Sequence, residues 1–101
     1  MKQDLEKVKK LAPNLRKNEP RSPEIPLAGI RKGARCLDKC RATLVGLQGE
    51  FIYGCPMDLQ FLSAARLDAN SFKEFVSTGA TDAEVESWVR QNVERQVEQQ
   101  V

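Results

Sequence analysis

The chain has 101 residues with a formal net charge of +2, and 41% of its residues are hydrophobic. This length fits one domain, and a compact domain of this size has a radius of gyration of roughly 13 Å. No apolar run approaches the roughly 20 residues of a membrane-spanning helix, and the charged N-terminus lacks the apolar region of a secretory signal. We therefore expect a cytoplasmic protein.

Three cysteines and the absence of histidine restrict the possible chemistry. An odd cysteine count argues against a disulfide framework. The spacings of Cys36, Cys40 and Cys55 match no zinc-binding pattern, so we predict no metal and no cofactor. We expect Cys36 and Cys40 to be small core residues, because neighbours one turn apart on a straight helix rarely meet disulfide geometry.

Charge is distributed unevenly, since residues 1–35 carry ten Lys/Arg against four Asp/Glu while residues 36–101 carry six against ten. The basic segment could bind nucleic acid or an acidic surface, or it could fold back onto the acidic part of the same chain. We favour folding back for the basic segment as a whole. The absence of interleaved aromatic residues and of a known nucleic-acid-binding motif favours a solvated surface for its Lys and Arg side chains over nucleic-acid binding.

The N-terminal segment predicts one short helix followed by extended chain. Leu5, Val8 and Leu11 recur at helical spacing, which indicates an amphipathic helix over residues 3–12 that ends at Pro13. Four prolines between residues 13 and 26 then favour a non-helical linker or a strap laid over the core. We expect this strap to be ordered from about Arg21.

The middle of the chain allows two interpretations. The favoured one is a second helix over residues 27–45, with Gly46 as the residue that ends it. The competing one pairs residues 43–47 with residues 50–53 as a short β-hairpin across the turn at 46–49.

The rest of the chain has helical signals. We predict a helix over residues 57–66, and a second over residues 69–78 that Asp68 caps. Thr81 and Glu84 form a capping box that opens the last helix. Residues 94–101 rotate off the buried face and are predicted to project or fray. The predicted fold is mainly α, a compact bundle of four to five helices with a Pro-rich strap and at most a short β-hairpin. We divide the chain into three parts. Residues 1–19 form a helix and a basic linker, residues 20–93 form the globular domain, and residues 94–101 form the tail.

Cys55 precedes Pro56, and proline is common as the first residue of a helix. Amides and the dipole at a helix start can stabilise a thiolate, so Cys55 could act as a nucleophile or a redox sensor. The alternative is a small structural cysteine before a helix, with Asp58 capping nearby amides. We favour the structural alternative because the chain has no histidine to act as a base.

Arg41 falls on the predicted apolar face of the second helix. A buried arginine needs a carboxylate or a carbonyl, so we expect it to pair with Asp38 or Glu50. The functional alternative is an anion-binding arginine, with Arg21 and Arg35 nearby.

Several motifs occur in an order that is typical of one known family: Pro20–Pro23, Leu37–Ala42, Gly49–Asp58, Asp68–Ala69 with Phe72, and Trp88–Val89. On these motifs, residues 20–89 resemble DUF5069, a family of small bacterial proteins without an assigned activity. Three positions depart from the family pattern: Gly54 replaces an expected Asn, Cys36 an apolar residue and Cys40 an Ala. The resemblance implies a stand-alone cytoplasmic domain and indicates the following binding residues: Arg21, Asp38, Arg41, Glu50, Tyr53, Cys55 and Asp58.

We predict a non-enzymatic binding or protein-interaction module with a polar recess where the strap meets the loop at 46–58. The strap and the loop would meet near Arg21, Arg41, Tyr53 and Cys55, apolar residues would edge the recess, and the ligand would be a protein or a small anion. One alternative is a thiol-dependent enzyme or redox sensor that acts through Cys55. A third is nucleic-acid binding through residues 2–35.

Overall fold

A computed structural model describes the backbone of residues 2–99 and the side chains of residues 2–95. It contains five helices: α1 (Leu5–Leu11), α2 (Gly33–Leu44), α3 (Pro56–Ala64), α4 (Ala69–Val76) and α5 (Asp82–Gln99). No strand occurs among these residues, which confirms the mainly α prediction. The radius of gyration is 12.9 Å. None of the described helices is long and apolar enough to cross a membrane.

Helix α2 is central, because α1, α3 and α4 all pack against it. The core lies between these helices and the first turns of α5, where aromatic residues supply much of the buried volume. Its largest buried side chains include Leu37, Phe61, Leu62, Phe72, Val76, Val85 and Val89. Cys36 and Cys40 are buried in this core, as predicted.

The predicted start of the second helix at residue 27 was wrong, since α2 begins at Gly33. Leu27 and Ile30 exchange two 3.0 Å backbone hydrogen bonds, and the turn between them has left-handed φ angles of 54° at Ala28 and 78° at Gly29. A helix cannot contain that geometry. The turn buries Leu27 against Gly33, where an added Cβ would lie 2.5 Å from the Cβ of Leu27.

Gly46 ends α2 as predicted, with a φ of 76°. The amide of Leu47 donates to the carbonyl of Ala42 at 2.8 Å, which is the bond of a Schellman motif. The alternative hairpin across residues 46–49 is wrong, because residues 43 and 44 belong to α2. The carbonyl of Leu47 accepts instead from the amide of Leu15 at 2.9 Å.

The N-terminal helix and the strap are packed onto the domain. Val8 is fully buried, and the amide of Asp4 donates to the carbonyl of Ser77 at 2.8 Å. Leu15 and Pro20 are also buried, so contact with the core begins before the predicted point at Arg21. The proline-rich segment is therefore a strap rather than a free linker.

Side-chain caps fix the starts of the last two helices where the sequence predicts them. Asp68 accepts from the amide of Ser71 at 2.7 Å, while Thr81 and Glu84 form the reciprocal bonds of a capping box. Helix α5 continues to Gln99, so residues 94–99 are helical. Residues 100 and 101 lie outside the described residues, and fraying of this tail stays a prediction.

Candidate functional site

Helix α2 buries three charged side chains that follow one another closely: Asp38, Lys39 and Arg41. Charged groups are rarely buried unless they are paired. Each of these three side chains is therefore paired with a group from another segment of the chain. These contacts form two separate groups, which we name the strap cluster and the thiol cluster.

The strap cluster consists of Arg21, Asp38, Arg41 and Asp82. Arg21 donates its backbone amide to Asp38 Oδ2 at 2.8 Å and its Nη2 to Asp38 Oδ1 at 3.0 Å. Its Nη1 donates to Asp82 Oδ2 at 2.9 Å. These bonds join the strap to α2 and to the first residue of α5.

Arg41 completes this cluster in a way that the sequence analysis did not predict. Its Nη1 donates to Asp82 Oδ1 at 2.6 Å and its Nη2 to the carbonyl of Ala80 at 2.9 Å. The expected pairing with Asp38 or Glu50 is wrong, because Asp38 bonds Arg21 and Glu50 is exposed. The contact with Asp82 spans 41 residues, so helical spacing could not reveal it.

Asp82 was missed as a candidate because it lies inside the capping box and was assigned only to helix initiation. Burial acts to raise the pKa of Asp82, but the hydrogen bonds from Arg41 and Arg21 outweigh it and hold the pKa below its usual value. Each carboxylate oxygen of Asp38 and Asp82 accepts at least one bond from an arginine. The cluster is thus internally satisfied.

The thiol cluster consists of Lys39, Asp58 and Cys55. Lys39 Nζ lies 2.9 Å from Asp58 Oδ2 and 3.0 Å from Cys55 Sγ. The side chains of Lys39 and Asp58 are 5% and 0% exposed. Lys39 was not among the predicted site residues, although a lysine flanked by core positions of a helix is a signal that could have identified it.

Cys55 is the N-cap residue of α3, and Pro56 follows as the first helical residue, as the sequence predicts. Burial acts to raise the pKa of the Cys55 thiol, but the hydrogen bond from Lys39 and the nearby backbone amide of Asp58 outweigh it and lower the pKa. The thiol is partly exposed. The hydrogen bond from Lys39 therefore favours the Cys55 thiolate, while the negative charge of the neighbouring Asp58 carboxylate opposes it.

Asp58 joins α3 to the loop before it. Its Oδ2 accepts from the amide of Gly54 at 2.9 Å as well as from Lys39, which agrees with the predicted capping role. Asp58 Oδ1 is buried and accepts no hydrogen bond from the described residues. Most buried polar atoms have a partner, so this oxygen is an unusual feature of the cluster.

Tyr53 and the two core cysteines serve packing in this structure. The Tyr53 hydroxyl donates to the carbonyl of Ala69 at 2.7 Å and so ties the loop to the start of α4. Burial raises the pKa of Cys40 to about 12, and burial also raises that of Cys36. Among the side chains that the structure describes, residues 2–95, no group of three or more Cys, Asp or Glu is arranged to hold a metal ion.

Arg35 brings the strap and the loop together on one side of α2. Its Nη1 donates to the carbonyl of Arg21 at 3.4 Å, and its guanidinium carbon lies 5.6 Å from the centre of the Phe51 ring. Arg35 thus connects the strap to Phe51 of the loop, whereas Arg21 and Arg41 lie in the strap cluster and Cys55 lies in the thiol cluster. The guanidinium groups of Arg21 and Arg41 donate to acceptors within the protein, so they do not face an open anion site.

No curated protein matches this chain. A family model described as Domain of unknown function (DUF5069) matches residues 17–101. The matched segment contains both clusters and all of α2–α5. The chain therefore belongs to the DUF5069 family.

Proposed function

We propose that this protein is a non-enzymatic interaction module and that its contact surface is the exposed side of α3 with the residue Ile52 that precedes it. We call this surface the α3 face; its members are Ile52, Pro56, Leu59, Gln60, Ser63 and Ala64. The proposal keeps the loop at 46–58 as part of the site. The proposed contact surface is thus mainly apolar, rather than a polar recess.

The observation that carries the proposal is the exposure of apolar side chains on a face that has no ionised member. Ile52 is 71% exposed and Leu59 is 49% exposed. The one ionisable residue of α3, Asp58, is buried. In a chain with 30% charged residues, an uncharged apolar patch of this kind is typical of a surface that binds another protein.

The contacts of Arg21 and Arg41 also favour the α3 face over a site that binds a small anion. The guanidinium groups of Arg21 and Arg41 donate hydrogen bonds to Asp38, to Asp82 and to the carbonyl of Ala80. A small anion would have to displace these partners before it could bind. A partner that binds the α3 face would not have to displace the partners of Arg21 and Arg41.

A second copy of the chain is the partner to which we commit. In a two-fold contact, each copy presents the same patch to the other. The apolar side chains of one α3 face then meet those of the other, while the ammonium of Lys32, which donates to Gln60, brings a positive charge to the face of each copy. We place this module in the cytoplasm, where free thiols persist.

Sedimentation equilibrium over a wide concentration range tests this proposal. We expect reversible dimerisation of the wild type, and at least a tenfold weaker association for Leu59→Glu because the contact would bury a charge. Leu5→Glu is the matched control, since Leu5 is 42% exposed on α1 and lies outside the α3 face. A wild type that remains monomeric at every concentration, or equal weakening by both substitutions, would contradict the proposal.

Nucleic-acid binding receives less support from the contacts of the basic segment. Arg21 pairs with Asp38 and Asp82, and Arg31 pairs with Glu24 at 2.6 Å. These pairs favour the interpretation that the basic segment folds back onto acidic residues of the same chain. Titration with DNA and RNA at low salt would test that interpretation, since such binding depends steeply on salt.

A further inference from the structure

We propose that the cleft between α4 and α5 beside Trp88 binds an arginine side chain of a partner protein. This inference does not depend on the α3 face. It rests on a stacked aromatic pair in the wall of the cleft, on a carboxylate held in place beside that pair, and on an indole N–H without an acceptor among the described residues.

The cleft has a volume of about 380 Å³. It is lined by Phe75 of α4 and by Ala83, Glu84, Ser87, Trp88 and Gln91 of α5. Most of the α5 residues recur at intervals of three and four, so they share one side of the helix. Phe75 and Trp88 are half-buried, whereas the other four are exposed. A cleft this open suits one side chain that projects from a larger partner, because sites for small molecules enclose most of the ligand.

The aromatic part of the wall is a rigid pair. The ring centroids of Phe75 and Trp88 lie 4.4 Å apart, and the angle between the ring planes is 3°. Aromatic side chains attract a cation placed against the ring, and tryptophan attracts it most strongly. A planar guanidinium can also stack on such a ring, which an ammonium cannot do. The pair therefore favours arginine over lysine.

Glu84 supplies a negative charge at a fixed position in the cleft. Its Oε1 accepts from the amide of Thr81 at 2.9 Å, and its own amide donates to Thr81 Oγ1 at 3.2 Å. The hydrogen bonds with Thr81 hold the pKa of Glu84 below its usual value, so the carboxylate is ionised at neutral pH. The capping box thus orients a carboxylate that can accept hydrogen bonds from a guanidinium.

The charges around Trp88 favour a cation in this cleft rather than in its neighbour. Glu84 is the one charged residue among those that line the cleft. The second cleft that Trp88 lines contains two arginines and two acidic residues, so its charges balance. After the bonds with Thr81, the positive charge of Lys7 also acts to lower the pKa of Glu84. The structure shows no ion pair between Lys7 and Glu84 among the described residues.

The indole N–H of Trp88 indicates that the arginine belongs to a protein chain. None of the hydrogen bonds among the described residues uses this N–H. The N–H of a buried tryptophan usually has an acceptor. A backbone carbonyl beside the arginine of a partner would supply one, whereas a free guanidinium has no acceptor to offer.

An NMR titration of the isotope-labelled full chain tests this proposal, because Trp88 is the one tryptophan and gives the one indole N–H signal. The probes are the peptide acetyl-Gly-Arg-Gly-amide and the same peptide with citrulline, the uncharged analogue of arginine. We expect the arginine peptide to shift the Trp88 signal saturably and to bind at least fivefold more tightly than the citrulline peptide. Methylguanidinium should bind at least threefold more weakly than the arginine peptide, because it has no carbonyl.

Glu84→Gln should remove most of the preference for arginine over citrulline, because glutamine keeps the capping box but carries no charge. Glu74→Gln is the matched control, since Glu74 is exposed on α4 and lines the neighbouring cleft, and it should leave the preference unchanged. A Trp88 signal that does not shift, equal affinities for the two peptides, or equal effects of the two substitutions would overturn the proposal. Methylguanidinium that binds as tightly as the arginine peptide would overturn the assignment to a partner protein.

Discussion

The strap cluster and the thiol cluster begin at adjacent residues of α2 but satisfy their charges differently. Asp38 and Lys39 are about 100° apart around the helix, so they reach different segments of the chain. In the strap cluster, every carboxylate oxygen accepts from an arginine. In the thiol cluster, one carboxylate oxygen has no donor among the described residues and the thiol is partly exposed.

This difference separates a cluster whose carboxylate oxygens are all paired with arginines from a cluster that leaves one carboxylate oxygen without a donor. A cluster whose carboxylate oxygens are all hydrogen-bonded can bind a ligand only if some of those hydrogen bonds break. The thiol cluster instead keeps a buried acceptor without a donor, which is destabilising, next to a thiol whose pKa is lowered. The charges alone do not separate the two cases, since each cluster contains aspartate and a buried cation.

The largest expected effect is at the centre of the thiol cluster. Asp58→Asn should reduce the free energy of unfolding by about 3–5 kcal/mol, because it leaves the Lys39 ammonium buried without a carboxylate. Urea denaturation measures the change. The double variant Lys39→Met/Asp58→Leu is the control, and it should be markedly more stable than Asp58→Asn because no charge remains. A loss below 1 kcal/mol for Asp58→Asn would show that the pair is not buried as described.

A smaller loss is expected in the strap cluster. Arg41→Met should reduce the free energy of unfolding by about 1–3 kcal/mol, since the carbonyl of Ala80 loses its donor while Asp82 keeps Arg21 and solvent. Arg90→Met is the matched control, because Arg90 forms an exposed pair with Glu86 that contributes little. Equal losses in the two variants would contradict the structural role of Arg41.

Arg21→Lys tests whether the geometry of the guanidinium or only its charge holds the strap. Lysine keeps the charge but cannot bond Asp38 and Asp82 together as arginine does. We expect a loss of about 1 kcal/mol and faster amide hydrogen exchange in the strap. Unchanged exchange would mean that prolines and buried Leu27 are enough to fix this segment.

The smallest expected effect is a pH dependence from Asp82. Its pKa is lowered in the folded protein, so its stabilising contribution is complete above the ordinary value of about 3.9 and is lost as the pH falls through the lowered value. Because Asp82 is 51% exposed, the contribution should stay below about 1 kcal/mol. Urea unfolding from pH 5 down to 2 should show a flatter profile for Asp82→Asn. Parallel profiles would remove Asp82 from the acid response.

Local signals predicted much of the secondary structure. The cap at Asp68, the capping box at Thr81 and the end of α2 at Gly46 each depend on residues within a few positions, and all three were found. The predicted start of α2 was wrong because the burial of Leu27 favours a tight turn over continuation of the helix. That outcome depends on the packing of Leu27 with Gly33 and Phe61 in three dimensions.

In the candidate site too, some features depend on neighbours along the sequence and others depend on the tertiary structure. The sequence by itself determined that Cys55 precedes a helix with proline first, and that Asp58 could cap nearby amides. Only the tertiary structure decided that Lys39 is the cation beside Cys55 and that Asp82, rather than Asp38 or Glu50, binds Arg41. Caps and turns are set by neighbours along the chain, whereas a buried charge takes whichever opposite charge the packed helices bring within hydrogen-bonding distance.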